Sequence, residues 1–96
     1  MKYKIAFLKE ADEDVLNAVG YYEEQQEGLG IKFKDTLDKK VDYITNYPKH
    51  FRIVKKEYRQ VLVKSFPYLV IYSIKKDTVL VHRVFNTRRN PKKKYK

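Results

Sequence analysis

Phe66-Pro67-Tyr68-Leu69-Val70-Ile71-Tyr72-Ser73-Ile74, then Lys75-Lys76-Asp77, then Thr78-Val79-Leu80-Val81-His82-Arg83-Val84-Phe85 is the stretch that decides the fold. Two long apolar runs, rich in β-branched and aromatic residues, flank a short charged turn. That pattern predicts a β-hairpin. The runs are too continuously apolar for a sheet edge, so they read as central strands covered by other elements. Pro67 marks where the first of them begins. Ile71, at its middle, is expected to lie buried beneath whatever covers the sheet.

Upstream, Gln60-Val61-Leu62-Val63-Lys64 reads as a further strand and Phe51-Arg52-Ile53-Val54-Lys55 as a weaker one. Before Pro48 the period changes. Phe33, Leu37, Val41 and Ile44 recur at four, four and three residues, one stripe of a helix that Asn46-Tyr47-Pro48 ends. Ala11, Val15, Ala18, Val19 and Tyr22 form a second stripe. Its first turn carries Glu10, Asp12, Glu13 and Asp14, which suits the positive end of the helix dipole. Gly28-Leu29-Gly30 breaks the chain between the helices, with Gly28 as a left-handed cap. Tyr3, Ile5 and Phe7 alternate in a first strand, expected at a sheet edge. The order strand, helix, helix, then three or four antiparallel strands predicts an α+β fold, with a helical hairpin on one face of a meander sheet. Residues 1–96 make one domain, and 86–96 read as a basic C-terminal tail.

The formal net charge is +10, unevenly placed. Residues 1–48 hold seven Lys/Arg and ten Asp/Glu, for −3; residues 49–96 hold fifteen and two, for +13. The basic half points to a polyanion or an acidic partner. With no cysteine, disulfides, thiolate zinc sites and thiol catalysis are excluded. Two histidines, His50 and His82, do not make a metal site, and no cofactor is expected. No nucleotide-binding glycine loop and no Ser-His-Asp order is present. The apolar run Ile5–Leu8 is too short for a signal peptide or membrane span, so a cytoplasmic protein without membrane contact is expected.

The chain resembles the RelE/ParE superfamily of toxins from bacterial type II toxin–antitoxin modules. The element order agrees along almost its whole length. Phe66-Pro67-Tyr68-Leu69-Val70-Ile71-Tyr72, followed by Phe85-Asn86-Thr87-Arg88-Arg89-Asn90-Pro91, is similar to the ParE-like branch, as is Tyr21-Tyr22 in the early helix. The resemblance implies a toxin neutralised by a cognate antitoxin, expected from the adjacent gene, whose extended C-terminal segment wraps it. ParE-like members poison DNA gyrase. RelE-like members are ribosome-dependent messenger-RNA endoribonucleases that need no metal.

A ribonuclease of that type needs a base, an acid and cations around the phosphorane. By resemblance Arg89, Tyr95 and Lys64 are the catalytic candidates, with Lys64 on the strand before Pro67. The ribonuclease pattern has an arginine directly after the first tyrosine of the Tyr68–Tyr72 strand. Here that position is Leu69, which cannot hold a phosphate, and the ParE-like reading is therefore favoured. Arg83, Arg88 and Arg89 are the candidates for binding target or antitoxin, since a guanidinium presents a charged planar fork to phosphate or carboxylate. Each candidate has a plainer reading. Arg88, Arg89 and the Lys92–Lys94 run could be a solvated tail. Strict alternation puts Val79, Val81, Arg83 and Phe85 on one side and Leu80, His82 and Val84 on the other, so one of Arg83 and His82 faces away from the helices. His82 reads as structural rather than as a general base. Tyr68 and Tyr72 share a strand face and read as packing rather than base stacking. The Asp12/Glu13/Asp14 and Glu23/Glu24 groups read as helix-surface charges. The remaining alternative is a small basic nucleic-acid-binding domain without toxic activity.

Overall fold

The computed structural model describes residues 2–88. Strand β1 (Lys4–Phe7) leads into helices α1 (Lys9–Gln25) and α2 (Leu29–Asn46). Strands β2 (Ile53–Lys55), β3 (Tyr58–Leu62), β4 (Tyr68–Lys75) and β5 (Thr78–Asn86) follow. They form one five-stranded sheet in the order β1-β5-β4-β3-β2. The last four strands are an antiparallel meander, and β1 joins it at the edge, parallel to β5. The expected α+β architecture is the observed one.

The two helical stripes do what their spacing predicts. Ala11, Val15 and Ala18 of α1 and Phe33, Leu37 and Ile44 of α2 are buried, and they share one cluster with Val61, Val70, Tyr72, Val79, Val81 and Val84. The helical hairpin thus covers one face of the sheet. Tyr72 is fully buried, and its hydroxyl donates to the Pro48 carbonyl at 2.6 Å, tying β4 to the end of α2. Burial pushes that phenol up to about 12.

The helix joint is tighter than a simple break. Gly28 adopts φ +85°, the left-handed conformation that glycine tolerates best. Gly30 lies inside α2, against α1; a Cβ there would sit 2.6 Å from the Val19 carbonyl oxygen. Glu23 spans the joint. Its carboxylate accepts from the Gly28 amide at 2.9 Å and the Gly30 amide at 3.0 Å, capping the free amides that open α2. Gly30 is therefore a packing residue, and Glu23 is more than a surface charge.

The sheet departs from strict alternation at one point. Ile71 pairs with Arg83 and Tyr72 with Val81, so His82 is an extra residue in β5. Such a bulge puts consecutive side chains on one face. Val79, Val81 and Val84 all reach the helix-covered core, while His82 and Arg83 both turn to the opposite face. There the His82 ring nitrogen Nε2 meets Ser73 Oγ at 2.7 Å, and Arg83 lies 5.9 Å from the Phe85 ring centroid. The expectation that Arg83 and His82 face opposite ways is corrected by that one residue. Ile71 is also corrected in part. It is fully buried, but β4 alternates regularly through it, so it shares the face of Leu69 and Ser73, away from the helices.

Candidate functional site

Two segments far apart in sequence meet at the end of the sheet. Thr87, just past β5, donates both its amide (2.7 Å) and its hydroxyl (3.1 Å) to the Pro67 carbonyl just before β4. The Arg88 amide donates to Asn86 Oδ1 at 2.9 Å. The backbone leaving β5 is thereby fixed while the Arg88 side chain stays exposed.

Arg88 stands at the rim of an open groove of about 600 Å³. Tyr21 and Tyr22 of α1, Lys32 of α2, Phe66 of the β3–β4 joint, and Asn86 also line it. Its wall is an aromatic cluster. Tyr22 stands 5.0 Å from Phe66, 5.4 Å from Phe33 and 6.1 Å from Tyr68, by ring centroids. All three contacts are edge-to-face or tilted, as is that of Phe33 with Phe66, the favoured geometries of packed rings. Burial raises the Tyr22 phenol above its ordinary value, Tyr68 and Tyr21 push the same way, and Arg88 opposes them. Tyr22 is therefore a neutral hydrogen-bonding phenol at neutral pH. With two cations, aromatic rings and amides in its lining and no carboxylate, the groove fits a chain that is anionic and partly apolar.

The other candidates fall in different places. Arg83 is held. Its Nε donates to Asp14 Oδ2 at 2.7 Å and its Nη2 to Asp14 Oδ1 at 3.0 Å; the side chains are 18% and 15% exposed. The same Asp14 Oδ2 accepts the Val84 amide at 3.0 Å. Strand β1 ends opposite Val81, so the edge of β5 beyond it lacks a strand partner, and Asp14 fills that role for Val84. Hydrogen bonding to Asp14 raises the Arg83 pKa further, against the effect of burial. Asp14 is thus a structural carboxylate, not a free helix-surface charge. Lys64 was expected on a strand, but β3 ends at Leu62, and Lys64 lies exposed in the β3–β4 joint. Ser65 there takes φ +71° and Pro67 lacks an amide to donate, which stops the ladder. Tyr68 and Tyr72 are core residues at 8% and 0% exposure, as the packing reading expects. His82 is half-buried beside Tyr58, and burial lowers its pKa while Glu57 opposes. Arg89 and Tyr95 lie outside the described residues. Among the described residues no group of three or more His, Asp or Glu could hold a metal, and no helix is long and apolar enough to cross a membrane.

Sequence reading alone did not single out Asn17, Lys32, Ser65 or Asn86 as groove residues. Only Asn86 lay inside a recognisable pattern, next to Arg88.

The family model of the ParE toxin of the type II toxin-antitoxin system, parDE, matches residues 5–91. This chain belongs to the ParE toxin family. The ParE match includes the Pro67–Thr87 clamp, Arg88 and Arg89, and ends before Tyr95. A solved structure described as the chromosomal ParDE TA system from P. aeruginosa is similar in fold, with a TM-score of 0.77 at 11% identity. The alignment covers 91% of this chain and 98% of that one. No curated protein matches the sequence.

Proposed function

We propose that this ParE-family toxin acts by poisoning DNA gyrase and is silenced by a cognate antitoxin, the product of the neighbouring gene. The observation that carries the target is Leu69. It follows Tyr68 where a ribonuclease of this superfamily would place an arginine, and a leucine offers no charge to a phosphorane. The pairing of Arg83 with Asp14 supports the same reading, because it occupies a cation that the bulge turns to Leu69's side of the sheet. Target contact then falls to Arg88 and Arg89. The aromatic groove with Arg88 and Lys32 at its rim suits an acidic, partly apolar antitoxin segment.

The test is direct. Purified protein added to gyrase and supercoiled plasmid is expected to accumulate cleaved DNA, and Arg89→Ala is expected to abolish this while remaining folded. Primer extension after induction is expected to show intact messages. Discrete cuts within codons, lost in Tyr95→Phe and in Lys64→Ala, would replace gyrase with the ribosome as target. Loss of growth inhibition on co-expression of the neighbouring gene checks the antitoxin.

A further inference from the structure

Beside the aromatic groove, and continuous with it through Lys32 and Ser65, runs a second groove of about 410 Å³. Lys32, Thr36, Lys39 and Lys40 of α2 form one wall, and Lys64 and Ser65 of the β3–β4 joint the other. Thr36, Lys39 and Lys40 follow Lys32 by four, seven and eight residues, so they stand on one side of the helix. No carboxylate lines the groove. The four lysines take part in none of the ion pairs among the described residues. Of the three acids of α2, Asp38 holds Lys34 at 2.7 Å and Asp42 holds Lys2 at 2.7 Å, while Asp35 is exposed and does not line the groove.

Four unpaired ammonium groups converging on one groove repel each other, and such an arrangement is stabilised by an anion of comparable charge density. From Lys32 to Lys39 the helix rises about 10 Å, which matches about three nucleotide steps of a duplex strand. Ammonium groups are usual partners of phosphate oxygens; of the two hydroxyls, Thr36 Oγ1 already donates to the Lys32 carbonyl at 2.8 Å, and Ser65 remains beside the lysines. We infer that this groove binds the phosphodiester backbone of a nucleic acid, without reading its sequence. One aromatic ring, Tyr43, and the lysine stems give the groove an apolar floor, but its charged rim is lysine alone, and the spacing of those ammonium groups along α2 favours a phosphate row over an acidic peptide; the adjoining groove, with its aromatic cluster, is the better fit for a peptide. This inference does not depend on gyrase being the target.

The test is fluorescence anisotropy with a 20-base-pair duplex, single-stranded DNA and RNA of the same length, and a Glu/Ala peptide, across a salt series. Lys39→Gln/Lys40→Gln is compared with Lys75→Gln/Lys76→Gln at the far hairpin, which removes the same charge. All four positions are surface lysines, and circular dichroism confirms that both variants fold. The groove pair is expected to weaken duplex binding and to flatten its log–log salt slope by about 1.8, or about 1.4 if the single strand is preferred. The hairpin pair is expected to leave the slope within about 0.3 of its original value, since contacts that are not made release no counterions. Equal losses from both pairs would mean net charge alone attracts the polyanion and would overturn the inference. So would binding of the acidic peptide, but not the nucleic acids, through Lys39 and Lys40.

Discussion

Asp14→Ala removes one carboxylate and breaks three hydrogen bonds at once: two from Arg83 and one from the Val84 amide. A hydrogen bond to a charged group contributes about 1.5–3 kcal/mol net. Removing one partner of a fully buried pair costs about 3–5 kcal/mol. Here the side chains keep 18% and 15% exposure, so Arg83 recovers part of its hydration and the lower range applies. Alanine in place of aspartate inside α1 returns about 0.5 kcal/mol of helix propensity. The expected net loss is about 2 kcal/mol, read as a shift of roughly 10 °C in Tm for a domain of this size. Asp14→Asn keeps an acceptor for the Val84 amide and is expected to lose about half as much. A double-mutant cycle with Arg83→Met, which keeps an apolar stem beside Phe85, isolates the pair; a coupling of about 1 kcal/mol or more is expected. Because the pair is shielded, 0.5 M salt should change that coupling little. If Asp14→Ala costs under about 0.5 kcal/mol, the surface-substitution level, the argument that Asp14 closes the free edge of β5 fails.

Two further outcomes follow from the helix joint and the bulge. Gly30→Ala would push a methyl against the Val19 carbonyl, so α1 and α2 must part, and a loss of about 1–3 kcal/mol is expected in urea unfolding; Gly20→Ala, with nothing within 4 Å, is expected to gain about 0.8 kcal/mol instead. Similar signs at both positions would refute the close approach. His82 has a lowered pKa, so the folded state favours its neutral form; its contribution is complete above the ordinary value of 6.5 and is lost as pH falls below it. Between about pH 7 and pH 5 the native protein should therefore lose more stability than His82→Gln, where 6.5 marks the onset; parallel pH profiles would show that His82 is not desolvated.

The sequence by itself determined the elements and their layers. The helical stripes through Val15 and Phe33, the stop at Pro48 and the paired apolar runs around Lys75-Lys76-Asp77 depend on neighbours within a few residues, and periodicity records such neighbours directly. It also carried the family signature, because Pro67 and Thr87 sit at fixed offsets from the strands that bring them together. The tertiary structure alone decided which face each β5 side chain takes. One extra residue at His82 leaves every residue's character unchanged, yet it moves Arg83 from the side of Val81 to that of His82. Asp14 and Arg83, 69 residues apart, read as two ordinary surface charges until the end of β1 exposes an amide between them. The lysine groove was hidden for a related reason. Three of its four lysines lie in the half of the chain whose net charge is negative, and only the turn of α2 separates them from the acids that mask them in a sum. Pattern reports local period; pairing between distant segments depends on register and on where a neighbouring strand ends, and neither leaves a periodic trace.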